Sequence, residues 1–317
     1  MSKFRTLLVS ALAIATLAAL PAAAQTTKDA TWFSEEVRAN GKLYLPAGFN
    51  PSGKTPGVVL APAWGETAAT LEPYATALAA HGIVALTVDY RGWGKSGGDI
   101  YLGERIGFYD AQRFTDQTPD LVIRRGRLDP ERQVQDIRNA ITYLQSEAGV
   151  DPAAIGMLGV DIGGGHVISV MGMDTRVKAG VAVTPIIAGN SVDRKSFIPD
   201  AKTQAEMIKL AREGSVPKSA AEAKARNAQE ARIALGEYMP FWRIDAIPQT
   251  DAIRFIVAGA DEKAPGGENA FAAAKTLKAR NDVKTIEGAK HVLNPAQTKE
   301  AAGLAADWMK SNLKGGG

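Results

Sequence analysis

Three side chains in this sequence are suited to nucleophilic and acid–base chemistry, namely Asp161, Asp261 and His291. Each comes at or shortly after the end of a short apolar run that predicts a buried strand. Together they can supply a nucleophile, a general base and a carboxylate that orients the base. Because the carboxyl ends of parallel strands meet at one edge of a sheet, we expect the three side chains to lie close together there.

The segment around Asp161 predicts how that carboxylate is presented. An apolar run ends in Gly-x-Asp-x-Gly at residues 159–163, and a helical pattern begins at once. Glycines allow the backbone to turn tightly, so we predict a strand, a sharp turn and a helix that expose the side chain of Asp161 at the edge of the sheet. Such a nucleophile elbow usually carries Ser, and here it carries Asp.

Composition excludes several other kinds of site. The sequence has no cysteine and only 3 histidines, which are far apart, so we predict neither a metal site nor another cofactor. The formal net charge is +3, which gives no reason to expect a nucleic acid or an anionic membrane as partner. The glycine-rich loop at residues 89–98 matches a phosphate-binding loop only in part. A small organic substrate is the partner that these residues favour.

The N-terminus has the pattern of a secretory signal peptide. Lys3 and Arg5 precede an apolar run that ends near Pro21, and small residues follow up to Ala24. We therefore predict a signal peptide at residues 1–24, and a periplasmic or secreted protein at residues 25–317 with no membrane attachment after cleavage. The +3 net charge would fall to +1 on removal of the two basic residues, because residues 1–24 contain no acid.

The remaining chain alternates between predicted strands and helices, which is typical of an α/β fold with a mostly parallel sheet covered by helices on both faces. Asn40-Gly41 predicts a hairpin turn near the start. Residues 186–250 interrupt the alternation with Ala-, Lys-, Glu- and Arg-rich sequence of helical spacing. We interpret this segment as a helical cap inserted into a single domain.

These features resemble the α/β-hydrolase superfamily over nearly all of the mature chain. The resemblance rests on the elbow at 159–163, the Asp-Tyr-Arg-Gly-x-Gly-x-Ser loop at 89–96, the acid Asp261 and the late His291. It implies an Asp161–His291–Asp261 triad. It also implies an oxyanion hole formed by backbone N–H groups of Ile162 and of the 63–66 loop, at Trp64 and Gly65.

Residues 260–263 and 288–291 look most like the dienelactone hydrolase and secreted esterase branch, which has Cys or Ser at the position of Asp161. A carboxylate attacking an ester would form a reactive anhydride, whereas attack on an sp³ carbon forms an alkyl-enzyme ester. His291 would then activate water to hydrolyse that ester. We therefore predict hydrolysis of an epoxide- or halide-type substrate, as in the similar families that use an Asp nucleophile.

The two families with an Asp nucleophile, the epoxide hydrolases and the haloalkane dehalogenases, imply further residues. Dehalogenases usually have Trp after the nucleophile, where this chain has Ile162, and Trp64 is the candidate replacement. Epoxide hydrolases use two tyrosines as acids, for which Tyr238 is one candidate and Tyr101 or Tyr109 the second. Two alternatives to this chemistry remain: hydrolysis of a carboxylic ester or lactone with Asp161 as a general base, and a non-catalytic binding protein on the same fold.

Overall fold

A computed structural model describes residues 24–102, 121–188, 201–213, 219–263 and 266–313. Apart from its last residue, the predicted signal peptide lies outside these ranges, and export therefore stays a prediction. Within the described ranges, the helices are too short or too polar to cross a membrane.

Eight strands form one sheet in the order β1-β2-β4-β3-β7-β8-β9-β10, and β5 and β6 form a separate antiparallel pair. The strands are β1 (Thr26–Ser34), β2 (Val37–Leu45), β3 (Thr55–Ala61), β4 (Val84–Asp89), β5 (Ile100–Leu102), β6 (Leu121–Ile123), β7 (Val150–Val160), β8 (Val177–Val183), β9 (Ala252–Ala258) and β10 (Arg280–Ile286). Only the β1–β2 and β2–β4 pairs of the large sheet are antiparallel, which confirms the predicted mostly parallel sheet.

Helices cover both faces of this sheet. They are α1 (Glu72–Ala80), α2 (Pro130–Ser146), α3 (Ile162–Met171), α4 (Ala201–Glu213), α5 (Ala220–Glu237), α6 (Gly266–Thr276) and α7 (Pro295–Asn312). Buried side chains of α1 and α7 belong to one apolar core, and those of α2, α3 and α6 belong to the core on the opposite face. Strands buried on both faces require continuous apolar sequence, as β4 illustrates with every residue buried.

The first hairpin differs from its prediction. The turn lies at residues 35–36, and Glu35 has φ 55° there, whereas Asn40 and Gly41 lie inside β2. A Cβ at Gly41 would collide with the carbonyl oxygen of Thr87 on β4. Gly41 is therefore explained by close strand approach rather than by a turn.

The predicted helical insertion coincides with α4, α5 and a 3-10 segment at Pro240–Ala246, all of which lie between β8 and β9. Arg124 joins α5 to the body of the domain, since its guanidinium donates to Glu230 at 2.9 and 3.3 Å and to Asn227 at 3.0 Å. That this segment caps a substrate stays a prediction.

Candidate active site

The backbone turns sharply at Asp161, between the end of β7 and the start of α3. Asp161 has φ 56° and ψ −118°, a combination that residues other than glycine rarely adopt. Two flanking glycines make this turn sterically feasible: a Cβ at Gly159 would collide with the carbonyl of Gly163, and a Cβ at Gly163 would lie 2.7 Å from the carbonyl oxygen of Pro62. The sequence pattern of strand, turn and helix is present as predicted.

The three predicted triad residues meet at the carboxyl edge of the sheet. His291 Nε2 lies 2.8 Å from Oδ1 of Asp161. On the other side of the ring, His291 Nδ1 lies 3.1 and 3.0 Å from the two carboxylate oxygens of Asp261. The imidazole therefore bridges two carboxylates, one after β7 and one after β9.

Backbone donors also contact the carboxylate of Asp161. The N–H of Trp64 donates to Oδ2 over 3.0 Å, and the N–H of Ile162 also hydrogen-bonds to this carboxylate. Gly65 was the third predicted donor, and within the described ranges the donors to Asp161 do not include its N–H. Its φ of 83° instead shapes the turn that follows Trp64.

Charge and burial shift the pKa values in this group in opposite directions. Burial alone would raise the pKa of Asp161, but hydrogen bonds from His291 and from the Trp64 N–H, with the imidazolium charge, hold it below its usual value. Burial alone would lower the pKa of His291, but hydrogen bonds to Asp161 and Asp261 and their charges raise it above its usual value. The two carboxylates therefore favour the protonated form of the imidazole between them.

Glu262 is a contributor that the sequence did not single out. Its Oε2 accepts a hydrogen bond of 3.1 Å from the backbone N–H of His291, and this contact lowers the pKa of Glu262. Glu262 thus fixes the loop that carries the imidazole, while Asp261 beside it holds the ring. The only signal in the sequence was its position next to a predicted acid.

Of the tyrosines proposed as acids, the two that the structure describes are not at the triad, whereas the tryptophan proposed to bind halide is next to it. Tyr238 is buried behind the elbow, where its hydroxyl lies 2.8 Å from Nδ1 of His166. The hydroxyl of Tyr101 accepts a hydrogen bond from Arg127, and Tyr109 lies outside the described residues. Trp64, by contrast, is 42% exposed beside the triad. Within the described ranges, no group of three or more acids and histidines has an arrangement that could hold a metal.

A cleft of about 1110 Å³ lies between α5, α2 and the end of α3. Its lining includes Tyr238 and Ser169 but none of the three triad side chains. The cleft therefore belongs to a neighbouring part of the fold.

Comparison with known proteins places this arrangement in context. The model described as the alpha/beta hydrolase family matches residues 58–304. The thiohydrolase aneE of Aspergillus aculeatus is 27% identical over 169 residues, which are 53% of this chain and 43% of that protein, so the chain spans less than half of this relative.

Two solved structures share the fold. The alpha/beta hydrolase GrgF from Penicillium sp. sh18 has a TM-score of 0.63 at 19% identity, covering 91% of this chain and 99% of its own. A dienelactone hydrolase from Anabaena variabilis has a TM-score of 0.55 at 14% identity, covering 92% and 99%.

Proposed function

Because the chain belongs to the alpha/beta hydrolase family, we propose that it is a hydrolase in which Asp161 is the nucleophile. Its substrate is a small organic molecule with an sp³ carbon that bears a leaving group, and the intermediate is an alkyl ester of Asp161. The proposal rests on the different contacts of the two oxygens of this carboxylate: Oδ1 faces His291, and Oδ2 accepts the Trp64 N–H.

These different contacts of the two oxygens suit a two-step reaction. In the first step, Oδ1 attacks carbon, a C–O bond forms, and the leaving group departs with the electron pair of its bond. The carbonyl oxygen of the new ester is then Oδ2, which already lies in the oxyanion hole. In the second step, water attacks Cγ of Asp161, and the backbone donors stabilise the charge that develops on Oδ2. Collapse returns the carboxylate and releases an alcohol.

The charge on Asp161 also determines at which step of the reaction His291 is protonated. The carboxylate raises the pKa of His291 in the resting state, and esterification removes that negative charge. The pKa of the imidazole then falls, and the proton is lost to solvent, so His291 becomes a neutral base when water must be activated. Asp261 retains its contact with Nδ1 and stabilises the imidazolium that forms as His291 takes the proton of the water.

The same contacts disfavour direct hydrolysis of an external ester. An ester or thioester substrate needs the oxyanion donors for its own carbonyl oxygen. In this site, Oδ2 of Asp161 accepts the N–H of Trp64, and a second carboxylate oxygen faces the base. A substrate carbonyl would have to displace this charged oxygen from the N–H group that binds it. The displacement costs more free energy than binding to an unoccupied oxyanion hole.

The leaving group determines whether an acid is required. Halide departs as a stable anion, whereas an opening epoxide needs a proton. The hydroxyl of Tyr238 is buried and directed to His166, and that of Tyr101 contacts Arg127, so neither is placed to donate at the triad. These contacts favour a halide-type substrate, with the exposed indole of Trp64 beside the site.

The test is intact mass of the variant His291→Gln after exposure to a 1-haloalkane, an epoxide, an activated ester and an acyl thioester. The glutamine retains a polar side chain but cannot activate water, so we expect a stable adduct that maps to Asp161 with the haloalkane. Asp161→Asn is the matched control and should form none. An adduct from the epoxide would assign that substrate class instead.

Isotope labelling checks the second step in the wild type. A single turnover in H₂¹⁸O should place the heavy oxygen in the Asp161 peptide, because water attacks the enzyme's own carboxyl carbon. Heavy oxygen in the product alone, together with turnover of the ester or thioester, would identify direct hydrolysis. Absence of turnover and of adducts with all four probes would contradict the proposal and favour a binding protein.

Export is a separate proposal. The basic start, short apolar run and small residues before Gln25 support cleavage after Ala24. N-terminal sequencing of the protein recovered from the periplasm or medium should begin at Gln25. An intact N-terminus in the cytoplasm would contradict it.

A further inference from the structure

Three buried rings lie directly behind the elbow and form an aromatic cluster of Tyr90, His166 and Tyr238. The ring centroids of Tyr90 and His166 are 5.7 Å apart, and those of His166 and Tyr238 are 5.4 Å apart, both in edge-to-face contact. Gly165 gives Tyr238 access to this position, since a Cβ there would lie 2.6 Å from the Tyr238 hydroxyl.

Hydrogen bonds fix the orientation of the central ring. Burial lowers the pKa of His166 to about 3, so the imidazole is neutral at ordinary pH. Gln133 Oε1 can only accept, and it lies 3.1 Å from Nε2, which therefore carries the hydrogen. Nδ1 is left as the acceptor for the Tyr238 hydroxyl at 2.8 Å.

The outer rings of the cluster contact the two segments that supply the oxyanion donors. The hydroxyl of Tyr238 lies 3.3 Å from the carbonyl oxygen of Ile162, in the peptide unit next to the one whose N–H hydrogen-bonds to Asp161. The hydroxyl of Tyr90 donates over 3.1 Å to the carbonyl oxygen of Pro62, which lies just before Trp64. Both contacts are buried, so water does not compete for them.

We propose that the aromatic cluster sets the geometry of the oxyanion hole, with Tyr238 as a positioning residue contributed by the chain that follows α5. This role rests on the proposed function, because it concerns the same backbone donors. Tyr238 acts through His166, whose Nδ1 accepts the one hydroxyl hydrogen, and through packing against the Ile162 carbonyl, and it does not touch the reacting atoms. The helical insertion, to which Tyr238 belongs, is thereby coupled to the donors at Trp64 and Ile162.

The two chemical steps should respond differently when this support is removed. Negative charge builds up on Oδ2 during hydrolysis of the alkyl ester, and oxyanion donors act mainly on such developing charge. Attack by Oδ1 instead removes the negative charge of the Asp161 carboxylate. Misplaced donors should therefore slow hydrolysis of the ester more than its formation.

The experiment compares Tyr238→Phe with Tyr74→Phe. Tyr74 is a buried tyrosine of α1 on the opposite face of the sheet, so its change controls for loss of a buried hydroxyl. In single-turnover mass measurements with a haloalkane, Tyr238→Phe should hydrolyse its ester about tenfold more slowly, a smaller loss than the about 10²–10³-fold that deleting one donor causes. Formation of the ester should change little, and Tyr74→Phe should match the wild type in both steps.

A readout without substrate separates this proposal from the proposed function. In ¹⁵N-labelled protein, the amide resonances of Ile162 and Trp64 should shift in Tyr238→Phe and not in Tyr74→Phe. His166→Asn, which keeps an acceptor near the place of Nδ1, should shift them less than His166→Leu. Unchanged amide resonances in Tyr238→Phe would overturn the positioning role whether or not any substrate turns over. Equal slowing of both steps would do so too.

Discussion

His291 Nε2 lies 2.8 Å from Oδ1 of Asp161, so the base of the triad is paired with the atom that is proposed to attack. The pairing works in both directions: the carboxylate raises the pKa of the imidazole, and the imidazolium helps to lower the pKa of the carboxyl. Conversion of Asp161 to an ester removes the partner that stabilises the proton on His291. Each state of one residue therefore sets the protonation of the other.

The first prediction concerns the pH dependence of ester hydrolysis. Loss of the Asp161 charge lowers the pKa of His291 in the alkyl-enzyme. The apparent pKa below which ester hydrolysis slows should therefore be lower than the pKa of His291 in the free enzyme. The free-enzyme pKa is measured by NMR of the imidazole, and the kinetic value by quenched-flow mass analysis of the ester. A kinetic value equal to or above the free-enzyme value would show that the Asp161 charge does not control the base.

The second prediction converts the nucleophile. Asp161→Ser removes the oxygen that accepts the Trp64 N–H, so the hole becomes free for a substrate carbonyl, and His291 can activate the new hydroxyl. Hydrolysis of an activated ester should rise by about 10²-fold, within the range that a positioned general base contributes. Haloalkane turnover should disappear. Assays of both substrates on Asp161→Ser and Asp161→Ala measure this, and equal ester rates in the two variants would refute it.

The third prediction concerns stability in acid. His166 has a pKa of about 3 in the folded protein, below the about 6.5 of an unfolded histidine. The unfolded state therefore binds more protons in this window, and stability falls as pH drops from about 6.5 towards 3, by at most about 1.4 kcal/mol per pH unit. Urea unfolding of His166→Leu should show a shallower acid slope than the wild type.

His291 has the opposite sign and provides the control for that measurement. Its folded pKa is raised, so its contribution is fully present below the unfolded value and is lost as pH rises through the folded value. His291→Gln should flatten the alkaline side of the stability profile, and on the acid side it should change the region in which Asp161 titrates, because the imidazolium helps to lower the pKa of that carboxyl. An unchanged acid slope in His166→Leu would mean that another group governs acid unfolding.

The fourth prediction tests the packing of the elbow helix. Gly165→Ala places a Cβ against the carbonyl of Ile186 and 2.6 Å from the hydroxyl of Tyr238, and such overpacking typically costs about 1–3 kcal/mol. Gly303→Ala in α7 meets nothing within 4 Å and should stabilise by up to about 1 kcal/mol, because alanine favours helix. Thermal unfolding of both variants measures the difference. Destabilisation of equal size would contradict the specific role of Gly165.

The sequence predicts that Asp161, Asp261 and His291 meet, because the ends of buried strands can be recognised in a sequence. Apolar runs before Asp161, Asp261 and His291 predicted the edge where their side chains meet. The pattern at 159–163 predicted the turn, since glycine is needed where backbones approach closely. The mostly parallel sheet followed from the alternation of strands and helices.

Contacts between distant segments were not legible. Asn40-Gly41 has the composition of a turn, but its glycine is explained by the approach of β4. Tyr238 matched an acid in a cap, yet its hydroxyl is directed to His166 behind the elbow. Composition at a single position does not specify which segment packs against it, and that partner decided the role in both instances.

The order of the triad along the chain has a consequence for biosynthesis. The bond between Asp161 and His291 spans 130 residues, and it requires β8, β9 and β10 to be in place. Ordering so long a loop is slow and costs chain entropy. A nascent chain that ends after α5 contains the carboxylate of Asp161 but neither His291 nor Asp261. The three side chains therefore come together only after β10 and the loop that carries His291 have been synthesised.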